Sequence, residues 1–378
     1  MARKRSDAFG KEIDHDMAMR ISDGRPWEAV PQDLFVIDGV AHTYNQQRDN
    51  WVPGGYAHLL AEGLWGIHQY FSPDGEKWLV PESERGMQTV DFLASSLFAE
   101  SDIDACVYHA LPLFPFFKDG GGPIEIGLEM RRRWPGRVAI YGGVSPYRAD
   151  VLDELDRMVE EDKVSAFKFY PTDLVDGVIR GVRLDDEKLM FPLYERMQKH
   201  GLKTVAMHKA IPFGPQGHEF FGMNDIMGAT MAFPDLNFEI FHGGFAFLED
   251  TAMKASYARN MTINMEGTSA FVLRAPEKLA HIMGALLLAG CADRIVWGTG
   301  VPVIHPQPFL EAFWNFQIPE TLRERYGYPE ITPEMKRLML GGTQARIAGL
   351  DVAAMAAQSK GDEFDGSTGL AAPWSRAR

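Results

Sequence analysis

Eight short apolar runs punctuate the chain, each followed by a longer stretch of mixed character. They are LFVID (34–38), DACVYHAL (104–111), RVAIYGG (137–143), VSAFKFY (164–170), TVAMH (204–208), LNFEIFHGG (236–244), MTINMEG (261–267) and RIVWGTG (294–300). Their apolar character is continuous rather than alternating, which predicts strands buried on both faces of a parallel sheet. Between them the spacing predicts helices over 149–162, 185–200 and 275–289. Strand followed by helix, eight times over, predicts a (β/α)8 TIM barrel. A doubly wound open sheet is the rival, but no GxGxxG follows the first run.

The predicted barrel spans 34–351, preceded by an arm (1–33) and followed by a tail (352–378) with little periodicity that reads as loosely held. The interval 45–103 is longer than one crossover needs. Its aromatic, Gly- and Pro-rich segment WVPGGYAHLLAEGLWGIHQYFSPDGEKWLVPESERG predicts a lid over the barrel mouth or a subunit contact.

Composition narrows the partners. Lys and Arg total 38 against 52 Asp and Glu, a formal charge of −14, whereas nucleic acid and anionic membranes require clustered positive charge. The basic opening MARKR reads as a solvated tail. Two cysteines, Cys106 and Cys291, offer no disulfide framework, and the chain shows neither a signal-peptide apolar core nor a continuous membrane-spanning run. The expectation is a cytoplasmic protein with a small-molecule ligand, no nucleic acid and no membrane.

In a TIM barrel the chemistry gathers at the C-terminal ends of the strands. Those ends carry His42, Lys168, His208, His242 and Glu266, with His305 a little beyond the last strand. Any one of these His, taken singly, is as well read as an ordinary packing residue. Imidazoles arriving from several strand ends converge on one axis, which is the arrangement a divalent metal needs. His109 reads as a pocket residue, and Tyr44, Trp65, Phe213, Phe220, Phe245 and Phe247 as candidate walls or, equally, as a dry subunit interface.

These residues resemble the amidohydrolase superfamily, in the branch of aminocarboxymuconate semialdehyde decarboxylase and its related decarboxylases and hydrolases. The resemblance rests on ID-x-x-x-H at the first strand, MHK (207–209), FHGG (241–244), WGTG (297–300) and the closing MKRLMLGGTQARIAGLD (335–351), where Thr343 replaces the family's usual Asn. It implies a metal held by an H-x-H pair after the first strand, a His at the fifth and an Asp at the eighth, with a proton-handling His at the sixth. His42 matches the second His of the pair, His208 the fifth-strand ligand and His242 the sixth-strand His. Val40 stands in place of the first His, and Gly300 in place of the Asp that hydrolytic members use as base. With those two positions lost, a reconstituted site of His42, His208, His242 and His305, or with Glu266 in place of one of them, is expected to hold the metal, most simply Zn, with Fe or Mn as alternatives. His242 and Glu266 are then the catalytic pair, and either His305 or Glu266 replaces the missing Asp. Lys168 is read as a buried, hydrogen-bonded structural residue rather than a carbamylated bridging ligand, and Asp38 as a residue orienting a ligand His from behind.

Three functions follow. The departures at Val40 and Gly300, with the WGTG…HPQP loop, resemble the oxygen-activating 2-aminoisobutyrate hydroxylase type. That resemblance implies one subunit of a heteromeric metal-dependent monooxygenase paired with a paralogous barrel. The second is a stand-alone mononuclear metal-dependent decarboxylase or hydrolase of a small aromatic or unsaturated acid, alone or as an oligomer of itself. The third is a catalytically inactive scaffold.

Overall fold

The computed structural model describes residues 15–214, 216–367 and 372–375. The MARKR opening and parts of the tail lie outside that range. Eight parallel strands form one sheet: β1 (Ile37–Ala41), β2 (Ala105–His109), β3 (Val138–Gly142), β4 (Ala166–Phe169), then β7 (Thr204–His208), β8 (Asn237–Phe241), β9 (Met261–Asn264) and β10 (Ile295–Val296). The two intervening strands, β5 (Thr172–Val175) and β6 (Val178–Gly181), form a separate antiparallel hairpin. The hairpin turns at Asp176 and Gly177, both at positive φ, the backbone that an Asp-Gly pair adopts most readily. The apolar-run pattern missed it because its residues are mixed and its second strand is largely exposed.

The sheet closes on itself just past β10. Gly39 N–H donates to Trp297 O (3.1 Å), Gly300 N–H to Val40 O (3.0 Å) and His42 N–H to Val301 O (3.3 Å). A side chain at Gly39 would put a Cβ 2.8 Å from Trp297 O, so this close approach requires glycine. The regular ladder with β2 begins at Ile37, paired with Ala105, and reaches Ala41, so the first strand lies three residues later than the apolar run over 34–38.

The barrel interior is filled by Val40, Val107, Ala139, Tyr141, Ala206 and Phe241. Helices Ile124–Arg133, Val151–Glu160, Phe191–Lys199, Leu248–Tyr257 and Pro276–Leu288 surround it. The helix over Val151–Glu160 buries Leu155 and Met158 while its charged positions stay at the surface, the one-sided pattern of a helix lying on a sheet. The long β1–β2 interval folds into helix Ala57–Phe71 and shorter turns, and Leu60, Leu64, Ile67 and Phe71 of that helix roof the barrel mouth.

The segment after 351 is not loose where it is described. Phe364 and Trp374 are buried, and Trp374 stacks on Phe92 at 5.4 Å. Trp374 N–H donates to Glu100 Oε2 (2.8 Å) and Ser375 N–H to Glu100 Oε1 (2.7 Å). The reading of a loose tail rested on absent periodicity, which says nothing about a single aromatic anchor.

Candidate functional site

A cavity of about 230 Å³ opens at the C-terminal end of the strands. Its walls are apolar: Leu60, Leu64, Ile67 and Phe71 from the roofing helix, Leu113, Ile211, Phe213, Phe245, Val303 and Ile304 from strand-end loops. Its floor carries the polar groups His42, Lys168, His208, His242, Glu266 and Thr299, with Tyr44 and Tyr170 at the side. A second cavity of about 280 Å³, lined by Trp65, His68 and Arg85 among others, shares Tyr44, Leu64 and Val303 with the first. Of the expected aromatic walls, Tyr44, Phe213 and Phe245 line the inner cavity and Trp65 the outer one, while Phe220 and Phe247 line neither.

His208 ends β7 and His242 follows β8, and their rings meet at His208 Nδ1 and His242 Nε2, 3.0 Å apart. The far nitrogens set the tautomers. His208 Nε2 lies 2.8 Å from Ile211 O, a carbonyl that only accepts, so the proton sits on Nε2. His242 Nδ1 lies 2.8 Å from Glu266 O and 3.0 Å from Glu266 Oε2, again acceptors only, so its proton sits on Nδ1. Burial pushes the His208 pKa well down, and the neighbouring His242 adds to this. Burial also lowers that of His242, offset in part by the Glu266 carboxylate. Both shifts favour the neutral rings, and with the outer nitrogens protonated the two inner nitrogens face each other across 3.0 Å. Outer N–H groups donated to a carbonyl or carboxylate, with the inner nitrogens left basic, are how proteins prepare imidazoles for a cation.

His42, next to the end of β1, lines the same cavity, and its buried Nδ1 has no hydrogen-bond partner among the described residues. Burial, then the positive charge of Lys168, hold its pKa well below the usual value. The donor chemistry thus fits a divalent ion at two imidazoles, with His42 beside them. Among the described residues no three His, Cys, Asp or Glu side chains converge tightly enough to hold an ion by themselves.

His305 is not brought to this group. The chain turns after Gly300 into helix Pro306–Asn315. His305 caps that helix, accepting from Gln307 N–H at Nδ1 (3.3 Å) and donating from Nε2 to Glu100 Oε2 (3.0 Å). Its ring packs against Trp78 and Trp374, while its neighbours Val303 and Ile304 line the cavity. Closeness in sequence to the missing Asp placed it wrongly, because a helix start intervenes.

Glu266 occupies the space at issue. A Cβ built on Gly300 would fall 2.3 Å from Glu266 Oε1 and 3.1 Å from its Cδ. Gly300 itself has φ +65°, a conformation in which any side chain is strained. The Glu266 carboxylate, from just past β9, thus lies where a side chain on Gly300 would project. Val40, where the first His of the pair would stand, is part of the barrel interior packing.

Three further expectations change. Asp38 does not touch a His: it accepts from Val40 N–H (3.0 Å), from Thr299 N–H (2.9 Å) and from the Thr299 hydroxyl, tying β1 to the closing segment. His109 lies below the cavity, its Nε2 on Gly39 O (2.9 Å) and its ring between Tyr141 and Phe241. Lys168, 2% exposed, has no hydrogen bond or ion pair among the described residues; its ammonium sits over the Phe241 ring at 4.0 Å. Burial pushes its pKa down to about 8, against the opposing pull of the Glu266 and Glu239 carboxylates.

The amidohydrolase family model matches residues 127–350. Comparison with the curated proteins gives no match. Among solved structures, an uncharacterised TIM-barrel protein from Bordetella bronchiseptica superposes with a TM-score of 0.59 at 15% identity, over 86% of this chain and 100% of that one. The 5-carboxyvanillate decarboxylase from Novosphingobium aromaticivorans, with bound manganese and 3-methoxy-4-hydroxy-5-nitrobenzoic acid, superposes with a TM-score of 0.54 at 12% identity, over 84% of this chain and 98% of that one. At such identities the likeness carries the fold alone. No helix among the described residues is long and apolar enough to cross a membrane. With more than half its length matched by the family model, the chain belongs to the amidohydrolase family, and its fold is a TIM barrel.

Proposed function

We propose that the chain is a metal-dependent decarboxylase of small aromatic or unsaturated carboxylic acids. The observation that carries the reading is the facing pair of imidazole nitrogens, His208 Nδ1 and His242 Nε2, 3.0 Å apart at the floor of a cavity with apolar walls. His208 and His242 would hold the ion and His42 would stand beside them, while Ile211 O and Glu266 keep their outer nitrogens protonated. A divalent ion there would polarise a substrate oxygen as a Lewis acid. Zinc has no special support. Manganese is the metal in the 5-carboxyvanillate decarboxylase that shares the fold, so Mn is tested first, beside Zn and Fe.

The cavity walls favour decarboxylation over hydrolysis. Aliphatic and aromatic side chains exclude water from the acid, and loss of CO2 needs no attacking water. The cavity is larger than the roughly 150 Å³ apolar cavity that holds benzene in an engineered core, so a substituted ring fits. When the C–C bond breaks and CO2 leaves, the carbon left behind takes a proton. Glu266, which borders the cavity and accepts from His242 Nδ1–H at 3.0 Å, is the group able to take up and deliver it. The monooxygenase-subunit reading gains no support from the comparisons. Bridging carboxylates for a dinuclear oxygen-activating centre are also short, with Glu266 the one acidic residue in the lining.

The test is metal analysis of the purified chain, followed by CO2 release from hydroxybenzoic and unsaturated acids with Mn, Zn or Fe supplied. About one ion per chain, lost in His208→Ala and His242→Ala, with CO2 release by the chain alone, is the expected result. No bound metal in the intact protein sinks the reading. Turnover appearing only with a second, paralogous chain returns the heteromeric alternative.

A further inference from the structure

The cavity floor holds a cation that the fold does not use. Lys168, from β4, lines the cavity floor beside His42, His208, His242 and Glu266 under apolar walls, and it is 2% exposed with no hydrogen bond or ion pair among the described residues. Aromatic rings flank its ammonium, with the Phe241 centroid at 4.0 Å and that of Tyr170 at 5.6 Å. Glu239 and Glu266 act on it only at a distance. Glu239 is bound instead to Asn264 (2.7 Å), and Glu266 to His242 (3.0 Å). Buried charges are ordinarily paired, because leaving one without an acceptor is costly. The buried Lys209, by contrast, is paired with Asp225 (2.8 Å) and donates to Phe220 O (2.9 Å). An unpaired ammonium at the base of a cavity makes sense if its acceptor arrives with the ligand.

The geometry points to Lys168 as the anchor for the carboxylate of the substrate. This rests on the proposed action on small acids and adds which protein group recognises the acid. In a chain of net charge −14, an organic anion meets an unfavourable overall field, and a local cation in a low-dielectric pocket outweighs it. The approach carries a second cation: Arg85, held over the Trp65 ring at 3.6 Å, lines the outer cavity that shares Tyr44, Leu64 and Val303 with the inner one. The apolar walls then select for the ring or unsaturated chain, and Lys168 for the acid over its neutral isosteres.

Calorimetric titration of the whole protein with benzoate, salicylate and cinnamate, and with the corresponding amides, tests this in metal-loaded and chelator-stripped forms. Wild type is expected to prefer acid over amide by roughly 10- to 100-fold, in both forms. Lys168→Met should abolish that preference, leave amide binding and metal content unchanged, and leave the melting temperature equal or higher, since a thioether suits the surroundings of Phe241 and Tyr170. Lys168→Arg should retain part of the preference. A merely structural lysine would instead lower stability and weaken acid and amide alike. The proposal is overturned if wild type binds none of the acids, if it binds acid and amide equally, if the preference survives in Lys168→Met, or if it disappears on stripping the metal. The metal count and CO2 release are read separately, so failure of the decarboxylase reading leaves this result interpretable.

Discussion

Substituting Gly300 tests whether Glu266 fills the place of a last-strand carboxylate. Gly300→Ala carries two costs. A side chain at φ +65° costs about 1–2 kcal/mol. The new Cβ would also stand 2.3 Å from Glu266 Oε1, and Glu266 is not free to swing away because its other oxygen holds His242 at 3.0 Å. Relief therefore means giving up a charge-assisted hydrogen bond or straining the neighbourhood, about 1–3 kcal/mol more. In a Glu266→Ala background the second cost vanishes and only the backbone strain remains. A double-mutant cycle read from urea midpoints should give a coupling of about 1–3 kcal/mol, with Glu266→Ala relieving Gly300→Ala. Nitrogen chemical shifts of the imidazoles supply an independent readout: moving the Glu266 carboxylate shifts the His242 Nδ1 resonance, while the Glu266 carbonyl still holds the tautomer. Additivity within about 0.5 kcal/mol, together with an unmoved His242 Nδ1 resonance, would refute the shared volume of Glu266 and residue 300.

Other outcomes follow from buried ionisable groups. Burial pushes the Glu100 carboxyl up, but hydrogen bonds from His305 and Ser375 and the charge of His305 outweigh it and hold its pKa below the ordinary value. Its contribution to stability is thus present above about pH 4.5 and lost as pH falls through the depressed value, so the segment around Trp374 should undock in acid. Limited proteolysis across pH would reveal this, and protection that stays unchanged until the whole chain unfolds in acid would contradict it. His305→Ala should cost about 1–3 kcal/mol and speed cleavage near Trp374 while leaving metal content unchanged; loss of the metal would restore His305 as a ligand. Burial raises the pKa of Asp38 and of Glu239 to about 7. Both favour folding fully below their unfolded values and lose that contribution as pH rises towards 7. Asp38→Asn and Glu239→Gln should each flatten the fall in stability between about pH 4 and 7, and an unchanged slope in both would refute the assignment.

The barrel was legible because parallel strands buried on both faces advertise themselves as continuous apolar runs, and TVAMH and MTINMEG fall on β7 and β9 almost as written. The hairpin of β5 and β6 lacks that signature and was visible only in its Asp-Gly turn. Strand ends correctly indicated where His208 and His242 would be, since strand direction fixes which end of the barrel they reach. Position along the chain could not place His305, whose direction is decided by the helix it caps. Nor could it show that Lys168 lacks a partner, or that Glu266 and Gly300 share one volume: both depend on contacts between strands far apart in sequence. Asp38 was misjudged for the same reason, its partner Thr299 being 261 residues away.

The closing seam of the barrel has a consequence for motion. β10 contributes only Ile295 and Val296 to the regular ladder, and the remaining junction with β1 depends on the scattered amides of Gly39, His42 and Gly300. Such a junction is the least cooperative stretch of the cylinder, and it runs straight into the cavity wall at Thr299, Val303 and Ile304. Breathing along this line would loosen the floor at His42 and Thr299 and the wall at Val303 and Ile304 together. Hydrogen exchange at those three amides therefore reports on access to the pocket, and a ligand seated there should slow all three at once, as a bolt across the seam would.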